Sequence, residues 1–206
     1  MSETVDQLEC YADYVCPFCY LGTQSLEQYR ETRADPLEID WQPFDLRSGK
    51  RRADGSIDHD VDDGKDEAYF EQAKQNVRRL QAAYDVEMVQ ELAIEVDSLP
   101  AQQAAWYVKQ EYPDQWAAFD DEIYAALWQD GRDIGEVDVL ADIAATVGLP
   151  VDEIRSAIDD DGVRTALEDR FSMAQQRGIT GVPTFMYDGQ IARGAVPPAR
   201  FERLLE

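Results

Sequence analysis

Hydrophobic and polar positions follow changing rhythms along the 206 residues. Residues 4–15 hold a largely apolar run, Val5 to Val15, that reads as a strand. Residues 17 to about 33 read as a helix opened by Pro17, whose fixed φ and missing N–H suit a first helical turn. Leu37, Ile39 and Trp41 then alternate with Glu38, Asp40 and Gln42, the two-residue period of a half-buried strand. This is a βαβ start.

After Pro43-Phe44 comes a polar stretch, Arg47 to Asp66, punctuated by Gly49, Gly55 and Gly64, which reads as a long loop leading out of the first unit. The only histidine, His59, falls inside it and is expected to be solvated. From about 66 to 158 the period is helical. Phe70, Ala73, Val77, Leu80 and Tyr84 step by three and four. So do Ala101, Ala105, Val108 and Tyr112, then Trp116, Phe119, Ile123 and Leu127, then Val137, Leu140, Ala144 and Val147. Such stripes are core faces rather than cofactor boxes. Pro113 and Pro150 mark helix starts; Gly131, Gly135 and Gly148 punctuate ends. Asp159, Asp160 and Asp161 precede a further helix carrying Val163, Leu167, Phe171 and Ala174. The period then returns to two, with Thr184 to Tyr187 and Gln190 to Arg193 flanking Asp188-Gly189, a two-residue hairpin turn. Pro197-Pro198 opens a last helix. No internal repeat is present.

Composition narrows the class. Forty-three acidic residues against 19 basic ones give a formal charge of −24, yet 44% of residues are hydrophobic. Carboxylates interleaved with amphipathic stripes describe a folded protein with an acidic surface, one that repels nucleic acid and anionic membranes. Only four of the cations are lysines, Lys50, Lys65, Lys74 and Lys109. That balance is similar to cytosolic proteins of salt-accumulating archaea, where a Debye length of about 3 Å near 1 M salt makes self-repulsion tolerable. The amino terminus has neither a basic n-region nor an apolar h-region, and no run reaches membrane-span length. A cytoplasmic location is expected, where a dithiol is more often catalytic than structural.

The candidate chemistry is Cys16-Pro17-Phe18-Cys19. Cys16 falls at the strand-to-helix junction, where unpaired N–H groups and the positive end of the helix dipole favour a thiolate. Cys19 lies one turn further in, less exposed. The geometry makes Cys16 the attacking sulfur and Cys19 the resolving one. Two alternatives stand beside this: half of a zinc site, for which only Cys10 and His59 remain as cysteine or histidine ligands, and two packed cysteines. A second segment, Gly178-Ile179-Thr180-Gly181-Val182-Pro183-Thr184-Phe185, puts Pro183 at a strand start, where it cannot serve as an interior ladder donor. A cis Val182-Pro183 bond would bring the Val182 backbone beside Cys16, with its amide and carbonyl open to a substrate strand.

Taken together, Asp13 to Gly22, Trp41-Gln42-Pro43-Phe44, Gly178 to Phe185 and Gly194-Ala195 resemble the DsbA-like thioredoxin-fold proteins. The likeness is to the cytosolic FrnE-type branch, related to 2-hydroxychromene-2-carboxylate isomerases, and its element order covers nearly the whole chain. The resemblance implies an α/β thioredoxin fold with a large inserted α-helical domain: 1–48 and 160–206 forming the thioredoxin-like part, 65–159 the insert, and 49–64 a connecting loop. It carries Cys16, Cys19 and Pro183 over as the catalytic set; Pro17, Phe18, Val182 and Thr184 are expected to bind substrate, and no cofactor or metal is expected. Partners would be a protein thiol or disulfide, or a low-molecular-weight thiol, and a recycling reductase.

Two departures from that family matter. Phe18 stands where DsbA proteins usually carry a histidine that supports the thiolate, so a weaker oxidant is expected. Cys10 stands where thioredoxin-like proteins commonly bury a proton-relaying carboxylate, leaving Asp13 or water to substitute; Glu9 points to the other strand face, and Cys10 reads as packed or as a third redox thiol. The isomerases and kappa-class glutathione transferases use a serine at the position of Cys16, so Cys16 favours dithiol chemistry. A non-catalytic peptide-binding chaperone using the Val182 edge and the helical groove is the reading of a different class.

The charge analysis yields one expectation. The unfolding midpoint should be higher in molar than in millimolar KCl; equal midpoints would refute salt adaptation.

Overall fold

A computed structural model describes residues 5–206; Thr4 of the expected first strand lies outside the described residues. Strand β1 (Asp6–Ala12), helix α1 (Pro17–Thr32) and strand β2 (Leu37–Pro43) form the expected βαβ unit, with β1 and β2 parallel and Cys10 opposite Trp41. Strands β3 (Thr184–Tyr187) and β4 (Gln190–Arg193) complete a four-stranded mixed sheet of order β2-β1-β3-β4. Their turn residues have positive φ, 45° at Asp188 and 79° at Gly189, as a tight hairpin of two central residues requires.

The first strand stops three residues short of the apolar run. Its end is set by Asp13, which leaves the ladder and makes a turn instead: the Asp13 carbonyl accepts from Cys16 N at 3.1 Å and its carboxylate from Val15 N at 3.3 Å. Aspartate side chains compete with ladders for backbone donors in this way.

Between β2 and β3 the chain is helical: α2 (Glu67–Tyr84), α3 (Leu99–Glu111), α4 (Pro113–Trp128), α5 (Val137–Thr146), α6 (Val151–Ile158) and α7 (Asp161–Gln176). A final helix, α8 (Pro198–Leu204), follows the hairpin. The starts follow local chemistry. Asp66 and Asp160 each accept from a backbone N–H three residues on, Tyr69 and Val163, both at 2.8 Å. Asp85 ends α2 in the left-handed region. None of the described helices is long and apolar enough to cross a membrane.

One continuous apolar core runs from the sheet into the helices. It joins Leu8, Phe185 and Phe201 on the sheet side to Phe119, Ile123, Leu127 and Trp128 of α4. Trp128 is fully buried, and its indole N–H donates to the Tyr14 carbonyl at 3.0 Å. The helical segment thus holds the turn that precedes Cys16.

Helix α1 lies close against the entrance to β3. A Cβ on Gly22 would sit 3.2 Å from Pro183 and 3.3 Å from Phe185. Mid-helix glycine costs about 1 kcal/mol relative to alanine; here it permits the approach. The Ser25 hydroxyl donates to the Val196 carbonyl at 2.7 Å and seals the same face. Gly22→Val should lower stability by about 1–3 kcal/mol through overpacking, read as a lower urea midpoint. An unchanged midpoint would mean that the neighbouring side chains yield freely.

Candidate active site

Cys16 is the N-cap of α1, with extended backbone (φ −90°, ψ 112°) and Pro17 at the first helical position. Its carbonyl accepts from Cys19 N at 3.0 Å and Tyr20 N at 3.3 Å, so the first turn winds directly onto the cysteine. Among the described residues no side chain caps the helix, Cys16 included, which leaves the first N–H groups of α1 without a side-chain acceptor. Cys16 is 4% exposed and borders a cavity of about 430 Å³, whereas Cys19 is fully buried behind it. All three cysteines are free thiols. Burial, reinforced by the adjoining Cys16 sulfur, pushes the Cys19 thiol well above the usual thiol range.

The distant segment arrives where the sequence places it. Val182-Pro183 is a cis peptide bond, and Cys16 Sγ donates to the Val182 carbonyl at 3.6 Å. The Pro183 carbonyl accepts from Gly194 N at 2.8 Å, continuing the hairpin pairing. Pro17, Phe18 and Val182 line the cavity with Cys16. Thr184 does not line it: its side chain is buried and the hydroxyl donates to the Gly181 carbonyl at 2.7 Å, bracing the bend rather than facing a ligand.

Behind the thiols lies a buried polar layer. Asp13 is fully buried, and desolvation raises its carboxyl to about 6. Its oxygens are occupied by Val15 N and, at 2.8 Å, by Leu46 N, so it staples the turn before Cys16 to the chain after β2. The next residue, Tyr14, donates its hydroxyl to Asp120 of α4 at 2.6 Å, and burial raises Asp120 to about 7. The buried Tyr124 hydroxyl, one helical turn further along α4, has no hydrogen-bond partner among the described residues. Cys10 packs in the core opposite Phe185 and Trp41, and burial pushes its thiol far up. Glu9 lies on the other strand face, hydrogen-bonded to Tyr11 and Arg177. Among the described residues, no three histidine, cysteine, aspartate or glutamate side chains converge as a metal-ligand set.

The loop after β2 behaves differently from the sequence reading. Instead of leading away, it turns back over Cys16. A 3₁₀ turn (Ser48–Lys50), an Arg51–Ile57 bridge and a 2.7 Å bond from Asp58 N to the Lys50 carbonyl fold it on itself. Arg51 anchors it, pairing with Asp45 at 2.6 Å and Asp97 at 2.9 Å. Arg47, Lys50, His59 and Lys65 are thereby brought to the cavity wall. The available signal was the density of cations, Arg47, Lys50, Arg51 and Arg52 within six residues of an acidic chain.

Comparison with known proteins places this arrangement. The sequence model for the DSBA-like thioredoxin domain matches residues 7–206. The Bacillus subtilis protein YwbO is 26% identical over 207 residues, covering 96% of this chain and 94% of its own. Among solved structures, a probable DsbA oxidoreductase from Streptomyces coelicolor superposes with a TM-score of 0.77 at 21% identity, over 97% of this chain and 88% of that one. A 2-hydroxychromene-2-carboxylate isomerase superposes with 0.74 at 17% identity, over 96% and 92%. At these identities the two structures carry the fold: α/β, thioredoxin-type, with the long helical segment inserted between β2 and β3.

The buried carboxyls make stability depend on pH in a definite direction. Asp120 holds its proton to about 7 in the native state against 3.8 as its ordinary value. Its contribution is therefore fully present below about pH 4 and lost as pH rises through 7. Asp120→Asn keeps an acceptor for Tyr14 without the charge. Its stability relative to the parent should rise between pH 4 and 7 by on the order of 1–2 kcal/mol and then level off. Urea unfolding at pH 5 and 8 in molar KCl measures this; a difference independent of pH would mean that the carboxyl titrates normally.

Proposed function

The chain belongs to the family of DSBA-like thioredoxin domains, and from that premise we propose that it is a thiol–disulfide oxidoreductase working through Cys16 and Cys19. The Cys16 thiolate attacks a substrate disulfide, forms a mixed disulfide and expels one thiolate. Cys19, having given up its proton, attacks the Cys16 sulfur, expels the second thiolate and closes the protein disulfide. Two electrons pass to the substrate. The same steps in reverse oxidise a substrate dithiol, and the direction follows the potential of the couple against its partner's. A recycling reductase or oxidant completes the cycle.

One observation carries this reading: an N-cap thiol at a cavity wall, with a buried thiol one turn behind it and the Val182 carbonyl 3.6 Å from its sulfur. The buried partner remains protonated and is a poor nucleophile until a mixed disulfide forms beside it. An extended substrate segment passing Val182 would have its carbonyl available for backbone pairing. The absence of membrane-crossing helices among the described residues is compatible with work in the cytoplasm.

The isomerase reading, in which a bound thiol cofactor is activated, has the fold in its favour. Cys16 disfavours it, because a thiolate at that position is itself the nucleophile. Insulin reduction and oxidation of reduced ribonuclease, run in molar KCl, decide between them. Cys16→Ser should abolish both activities, and Cys19→Ser should accumulate a mixed disulfide detectable by intact mass. Activity surviving Cys16→Ser would instead favour a cofactor site or a chaperone.

A further inference from the structure

The cavity beside Cys16 departs from the rest of the molecule in charge. In a chain of net charge −24, its wall holds three cations, Arg47, Lys50 and Lys65, against two carboxylates, Asp63 and Glu95. Two of the chain's four lysines and its only histidine are there. Lys50 and Lys65 share a single partner, Asp63, at 3.3 and 3.0 Å, so these three side chains together keep one positive charge. Arg47 is half-buried and makes no direct ion pair among the described residues, although Asp13, Asp45 and Asp97 lie near enough for their charges to act on it. One of its guanidinium N–H groups donates to the Ala93 carbonyl at 2.6 Å, and the others meet no protein acceptor among those residues. A fork of free donors in a partly desolvated wall matches the geometry of a carboxylate.

The remaining wall is apolar. Phe18, Phe70 and Ile57 line it, and Tyr69 and Ile94 stay 50% and 47% exposed at its edge. A volume of about 430 Å³ falls within the range of small-molecule sites, roughly 300–1,000 Å³. The cationic and apolar walls share this space with Cys16.

We propose that this cavity selects small disulfides and thiols that carry carboxylate groups, with Arg47, Lys50 and Lys65 receiving the carboxylates and Cys16 facing the substrate sulfur. The assignment rests on the dithiol reading and names its substrate class. The exchange is that given above: R–S–S–R and the protein dithiol become two R–SH and the protein disulfide. In molar salt, long-range attraction is screened to about 3 Å. Selection then comes from direct contact, for which the planar fork of a half-buried arginine is better suited than the single point charge of a lysine.

The test mixes reduced protein, in molar KCl, with two chromogenic disulfides, dicarboxylate dithiobis(nitrobenzoate) and uncharged dithiodipyridine. Each rate is normalised to that of a free cysteine derivative. The parent protein should prefer the dicarboxylate and saturate with it. Arg47→Gln, and separately the double substitution Lys50→Ala with Lys65→Ala, should reduce that preference about tenfold or more, the scale of a lost hydrogen bond to a charged group. Should Arg47→Gln fail to fold, the lysine pair carries the test. Reduction of both disulfides without preference, or a preference unchanged in the variants, overturns the substrate class and leaves the dithiol reading intact. Calorimetry with thiodipropionate, which cannot be reduced, separates the opposite case. Binding to Cys16→Ser that Arg47→Gln abolishes, with neither disulfide reduced by the parent, would keep the carboxylate site and overturn the redox reading.

Discussion

The structure around Cys16 depends on a buried carboxylate satisfied by backbone donors. Asp13 has no exposed surface, and its oxygens accept from Val15 N and Leu46 N. An unpaired buried carboxyl would cost several kcal/mol, so these bonds hold three segments in one relation: the end of β1, the start of α1 and the chain after β2. The turn they define makes Cys16 the N-cap. Trp128, donating to the Tyr14 carbonyl, fixes the same turn from the helical side. The thiol is thus positioned by contacts from both parts of the chain.

The periodic parts of this architecture were legible in advance. Strand β2 and the 184–193 hairpin follow their two-residue alternation, and the turn at Asp188-Gly189 forms because those residues tolerate positive φ. Helix starts at Pro17, Pro113 and Pro198 follow from local stereochemistry. The Val182-Pro183 segment and the cysteine pair, 163 or more residues apart in sequence, were joined by supposing a cis proline bond and by the resemblance that the two motifs share. No local rule brings them together.

What stayed hidden depends on tertiary contact. The 49–64 stretch has a loop's composition, and composition cannot say which way a loop turns. Its return over Cys16 depends on Arg51 reaching Asp45 and Asp97, the latter 46 residues away. Thr184 was expected among the substrate-binding positions, yet its hydroxyl donates to the Gly181 carbonyl and braces the bend there. Asp13 was recognisable as a candidate substitute for the missing relay carboxylate at Cys10. Its burial and engagement by backbone N–H groups were not, since its partners beyond the turn, Leu46 and Ser98, are distant in sequence.

The two faces of the dithiol therefore answer to different physics. Toward the cavity, cations and aromatic side chains offer contacts to whatever reaches the Cys16 sulfur. Away from it, desolvation governs: Cys19, Cys10, Tyr14 and Tyr124 are all pushed toward their neutral forms by burial. A thiol kept neutral in this way cannot compete with Cys16 for an incoming disulfide. In the exchange proposed above it gains a target only when Cys16 has become half of a mixed disulfide one helical turn away, and the carboxyl beside it is that of Asp13, raised to about 6 by burial. The burial gradient favours the order of events proposed above, with attack at the wall and resolution behind it. Cys19 needs no special reactivity of its own.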